Sequence, residues 1–138
     1  MAKFEHDVQD ALLEYVRAHA AKLVLAPKFS WWSDPTKTEI SGALTETFKL
    51  AEKEVAPLPA VQDGPVVISP YPNGRMIEIP AFSDGTVSKS GVAEVWCLVR
   101  SDWTVLVSGL LAVPQTLITG NSWGFGEALQ VRVPDSHQ

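Results

Sequence analysis

At 138 residues the chain has the length of one domain, and one hydrophobic core is expected. With 46% apolar and 20% charged residues it is too hydrophobic for a disordered segment, and its net charge of −5 is spread without any basic stripe. Direct nucleic-acid binding, which needs such a stripe to neutralise phosphates, has no footprint here.

Cys97 is the single cysteine, so no internal disulfide demands an oxidising compartment. Met1 to Asp10 alternates charged with apolar residues and lacks the uninterrupted apolar stretch of a secretory signal. The longest apolar run, Trp103 to Val113, is about half the length of a membrane-spanning helix. A cytoplasmic location is the expectation.

In chain order, Phe4, Val8, Leu12, Tyr15, Val16, His19 and Leu23 recur at steps of three and four, which predicts an amphipathic helix from Phe4 to about Val24. Lys28 to Pro35, with Phe29, Trp31 and Trp32, has no period and reads as a loop or brief extended piece. Thr36 and Glu39 match a capping box, and Ile40, Leu44, Phe48, Ala51 and Val55 form a second helical stripe that ends before Pro57. Pro65 to Ser69 and Arg75 to Pro80 flank the turn signal Tyr71-Pro72-Asn73-Gly74 and predict a β-hairpin.

Phe82 to Ser90 reads as a polar loop. Gly91 to Arg100 and Trp103 to Val113 are the strongest strands, joined tightly at Ser101 and Asp102, and Glu127 to Val133 adds a last one. The expected fold is therefore α+β: two N-terminal helices packed on a mainly antiparallel meander sheet of roughly five strands, in a single domain spanning the chain.

The central hairpin carries apolar residues on both faces. A loop centred on Ser101 and Asp102 would set Leu98 opposite Val105, Trp96 opposite Val107 and Glu94 opposite Gly109. A one-sided antiparallel sheet alternates apolar with polar residues, so each face of this hairpin requires a cover. The smaller residues Ala93, Cys97, Ser108 and Ala112 mark the expected helix side. The Trp96 face would then be covered by residues 114–126, by curling of the sheet, or by a second chain.

Catalytic signals are sparse. Gly120-Asn121-Ser122-Trp123-Gly124 fits the nucleophile-elbow pattern, but that mechanism needs a strand before the serine, a helix after it and a histidine downstream. Here a strand comes after the serine and the later histidine is His137. His6, His19 and His137 have no metal-ligand spacing, so neither metal nor cofactor is expected. Glu94 sits inside an apolar strand, the setting in which a carboxylate becomes an acid or base, and is the candidate catalytic residue if the protein is an enzyme. Arg75 and Arg100 are the alternative, as salt-bridge partners for it.

Trp31, Trp32, Tyr71, Trp123 and Phe125 fall in predicted loops, where aromatic residues commonly anchor partners, and Trp96 joins them on the large-residue face. The expected role is a non-enzymatic interaction or assembly protein, such as a bacterial or viral accessory or structural subunit, that meets a protein partner or itself and no membrane. The competing expectation is a small-ligand pocket between a curved sheet and the helices, with Glu94 as acid or base.

Overall fold

A computed structural model of the chain describes residues 6–28, 46–64 and 74–133. Among them are helix α1 (His6–His19), the strands β1 (Lys22–Ala26), β2 (Ala51–Glu54), β3 (Gln62–Asp63), β4 (Arg75–Ile79) and β5 (Phe82–Val87), and the strands β6 (Gly91–Val99), β7 (Val105–Leu117), β8 (Ser122–Phe125) and β9 (Leu129–Val133). The fold is α+β and antiparallel, with an N-terminal helix. It is not a meander: six strands form a curled sheet in the order β7-β6-β1-β2-β5-β8, and β3-β4-β9 form a second.

The first helix is shorter than its periodicity suggests. The Ala20 amide donates to the Val16 carbonyl at 2.8 Å, and the next amide, Ala21, donates to Val99 on β6. The chain has passed from helix to sheet between neighbouring residues. Leu23, Val24, Leu25 and Ala26 are then buried in a central strand, Leu23 and Leu25 towards the helix side and Val24 and Ala26 towards the other. Burial on both faces favours a continuous apolar run, and that gain outweighs the helical spacing of Leu23.

The second helix is corrected in the same way. Its expected capping box and first half lie outside the described residues. Residues 46–48 form a helical turn that leads into β2, so the helix does not reach Val55. Phe82–Val87, read as a polar loop, is strand β5, held by β2 on one side and β8 on the other. The strand expected at Arg75 to Pro80 is present as β4. Its described partners are β3 and β9, while Pro65 to Ser69 and Tyr71 lie outside the described residues.

Strands β5 to β8 form one long ribbon. Gly85 faces Trp123, Thr86 faces Ser122, Gly91 faces Leu117 and Val92 faces Thr116, so the register crosses 87–90 and 118–121 residue for residue. The join is fastened by the Ser90 and Thr119 hydroxyls at 3.0 Å and by the Val87 amide donating to Asn121 at 3.3 Å. The inner arm of this ribbon lies along β2 and then β1, which curls the sheet around that pair.

Both faces are covered along β1 and along β6 from Val95 to Val99, whereas Val92 and Glu94 nearer the start of β6 are exposed. The sides are reversed from expectation: α1 covers the large residues, with Leu13, Val16 and Ala20 in one cluster with Leu23, Leu25 and Leu98, and Trp96 packed against it. Val95, Cys97 and Val99 form a separate cluster with Val24 and Ala26 on the opposite side. Of the expected Trp96 face, Trp96, Leu98 and Val107 therefore lie on the helix side, Trp103 and Val105 lie on the other, and Val92 and Glu94 are exposed.

Candidate interaction surface

Helix α1 is apolar over two adjacent stripes. Gln9, Leu13, Val16 and Ala20 point into the protein, while Val8, Leu12 and Tyr15, read from sequence as the buried stripe, are 46%, 51% and 53% exposed. The pairs Leu12-Leu13 and Tyr15-Val16 widen the apolar face, and the core takes the second member of each. The first members remain in solvent beside a groove.

That groove, about 500 Å³, has α1 as one wall and Leu106, Val107, Val131 and Arg132 as the other. A β-bulge builds its floor. Leu98 pairs with Val107 but Val99 pairs with Val105, which leaves Leu106 as an inserted residue. Leu106 and Val107 consequently both pack on the helix side. Among the described residues Arg132 is the one charged residue in the lining, and no carboxylate whose side chain is described lies within ion-pair distance of it.

A second irregularity sets another apolar surface. Val95 pairs with Leu110 and Ala93 with Gln115, so residues 111–114 stand opposite Glu94 alone. The chain bulges outward there, leaving Leu110 and Val113 59% and 66% exposed, with Val92 and Ile118 also about half in solvent. No charged residue occurs from Trp103 to Gly126. Among the described residues β7 pairs only with β6, so it forms an edge of the curled sheet. The bulge and Pro114 make that edge a poor template for an added strand.

The candidates named from sequence are dispersed. Trp31 and Trp32 lie outside the described residues, like Tyr71. Trp123 is buried on β8 and is no loop residue: its indole N–H donates to the Glu52 carbonyl at 3.1 Å, and its ring meets Phe82 edge-on at 4.9 Å and Phe125 at 5.6 Å. Phe125 is half-buried in the same cluster. Trp96 is half-buried over Gly109. Glu94, the acid or base of the expected pocket, is exposed and is not among the residues that line the groove.

Neither arginine reaches Glu94. Arg75 binds Asp10 at 2.7 Å and Asp63 at 2.6 Å, tying α1 to the second sheet, and Arg100 binds Asp102 at 3.0 Å. Ser122 lies on β8 opposite Thr86, without the strand-turn-helix setting of a nucleophile elbow. The two glycines of that pattern have separate causes, a turn at Gly120 with φ 91° and contact between the Gly124 backbone and Phe82. His19 is exposed, its ring centroid 4.3 Å from that of Tyr15 with the two planes tilted by 45°. Among the described residues no three His, Cys, Asp or Glu side chains group to hold a metal, and no helix is long and apolar enough to cross a membrane.

One polar cluster is built with more care than a surface usually shows. Trp103, at φ 70°, has the ammonium groups of Lys22 and Lys49 at 4.5 Å and 4.3 Å from its ring centroid. Both lysines bind Glu52, at 2.8 Å and 2.6 Å. Burial raises the Glu52 pKa, but the two lysine hydrogen bonds outweigh it and hold the carboxylate below its ordinary value. The one carboxylate of this cluster is shared by two ammonium groups, one on each oxygen.

Compared with protein families, curated proteins and solved structures, the chain has no significant match.

Proposed function

We propose that this is a non-enzymatic interaction or assembly protein, an accessory or structural subunit working in the cytoplasm, that meets a partner protein or another copy of itself through the bulge of β7. The observation that carries this reading is the exposure of Val113 within an uncharged bulge and of Leu110 at its edge. Bulges re-aim side chains at defined places, and exposed apolar groups clustered on one surface mark contact sites more often than isolated ones do.

The test is light scattering coupled to size exclusion over a range of concentrations, on the unmodified chain and on Val113→Lys. Concentration-dependent assembly that the lysine abolishes, with an unchanged thermal melt, is the expected result. An unmodified chain that stays monomeric throughout removes self-association from the reading.

A second reading, a small-ligand site, draws on a different observation: the groove beside α1 has the volume and the apolar lining of a ligand cleft. Glu94 has no part in it, so this reading is one of binding, not of acid–base chemistry.

A further inference from the structure

We propose that the groove between α1 and strands β7 and β9 binds an amphiphile with a long apolar body and an anionic head, the head paired with Arg132. The inference rests on the small-ligand reading and adds the ligand's chemistry. A cleft of about 500 Å³ falls in the range that small ligands occupy. Val8, Leu12, Leu106 and Val107 offer its body nothing but apolar contact.

The charge of the head is set by which groups are available. Among the described residues the lining contains one cation and no carboxylate, on a chain that is acidic overall. The guanidinium of Arg100 is already committed to Asp102. Arg132 is not so committed among the described residues. A carboxylate or sulfate head would gain charge-assisted hydrogen bonds from its guanidinium, whereas a cationic head would meet a like charge. The exposure of Leu12 and Tyr15 leaves the groove open along its side, so an elongated molecule can enter without the helix unpacking.

The experiment is calorimetric titration of the full chain with decanoate, decanol and decyltrimethylammonium, each below its micelle-forming concentration. Decanoate is expected to bind once per chain and about fivefold more tightly than decanol, the scale of one partly exposed ion pair, with the cation weakest. Arg132→Gln should abolish the preference for the acid while leaving decanol binding in place, and Leu12→Asn should weaken both. Both residues are exposed, so the near-ultraviolet circular dichroism should be unchanged. If acid and alcohol bind equally, or if Arg132→Gln keeps the preference, the anionic head is wrong and the pocket survives. If decanoate binding ignores Leu12→Asn, or if nothing binds, the groove is not the site and both ideas fall.

Discussion

Trp96 and Gly109 are direct cross-strand partners, and the indole of Trp96 fills the space a side chain at 109 would need: a Cβ there would lie 2.6 Å from Nε1. The same arrangement recurs at the far end of the ribbon, where Trp123 stands opposite Gly85 and its indole occupies the corresponding space. A large ring laid over a bare backbone seals a strand position that glycine alone would leave exposed and loosely specified. Two of the molecule's tryptophans are thus explained as structural covers.

Adding a methyl group beneath either ring should therefore be costly. Gly109→Ala and Gly85→Ala are each expected to destabilise by about 1–3 kcal/mol, the usual penalty of overpacking. Gly126→Ala is the control, because a Cβ there meets nothing within 4 Å, and should change stability by less than about 0.5 kcal/mol. Urea titrations of the three variants provide the comparison. Equal stability across them would mean the rings move aside freely.

Trp103 gives a prediction of opposite sign for glycine. A non-glycine residue in the left-handed region costs about 1–2 kcal/mol, and Trp103 occupies it at φ 70°. Its ring recovers this through contact with Lys22 and Lys49, each cation–π contact contributing about 0.5–1 kcal/mol, and through packing against the Val99 side of the sheet. Trp103→Ala keeps the strain and loses the ring, whereas Trp103→Gly loses both. The glycine variant should be about 1 kcal/mol more stable than the alanine variant in urea unfolding. An alanine variant as stable as glycine would show that the loop relaxes out of the left-handed region.

This residue also explains one limit of reading the sequence. A loop centred on Ser101 and Asp102 places Leu98 opposite Val105, but the loop closes through Arg100 and Thr104, and Leu98 lies opposite Val107. Glycine or asparagine at 103 would have advertised the left-handed position, and tryptophan does not. From Val95 to Leu98 the slip is even, so these residues keep their faces, but at the bulge it becomes odd: Trp103 and Val105 pass to the Val99 side and Leu106 to the helix side.

Elsewhere local pattern and tertiary gain diverge. Leu23 continues the helical spacing of α1 yet lies in β1, and Asp84-Gly85 looks like a loop yet is flanked by strands on both sides. The helix itself is readable, but its phase is not: Leu12 and Leu13 are equivalent on paper, and packing decides which is buried. The groove and the bulge of β7 both depend on register shifts, for which alternation in one strand carries no signal.

Glu52 ties acid stability to the lysine cluster. Its folded-state pKa lies below the ordinary value of 4.5, despite burial, because Lys22 and Lys49 bind the charged form. A depressed carboxylate pKa contributes stability that is complete above the unfolded value and is lost as pH falls through the folded one. Stability should accordingly drop below about pH 4.5, and Glu52→Gln should flatten that part of the profile while lowering stability at pH 7. Urea midpoints from pH 7 to pH 3 give the measurement. An acid limb that Glu52→Gln leaves untouched would assign it to other carboxylates.

Cys97 produces the alkaline counterpart. Burial between Val24 and Ser108 pushes its thiol up to about 12, so the native protein holds it protonated across the neutral range. Thiolate is the reactive form, and at pH 8 a disulfide reagent should modify Cys97 only as fast as the sheet opens. Labelling is expected to be slow in buffer, to reach completion in urea, and to accelerate in Gly109→Ala in step with its loss of stability. The same shift has a pH sign. The unfolded chain ionises this thiol near its ordinary value of 9.0 while the folded one cannot, so stability is intact below that pH and declines above it. Cys97→Ala, compared with the parent from pH 8 to pH 10.5, should lack that decline, which approaches about 1.4 kcal/mol per pH unit at its steepest. Rapid labelling of the folded chain would instead place the thiol at an opening in the sheet, and the buried cluster around Val95 and Val99 would no longer describe that face.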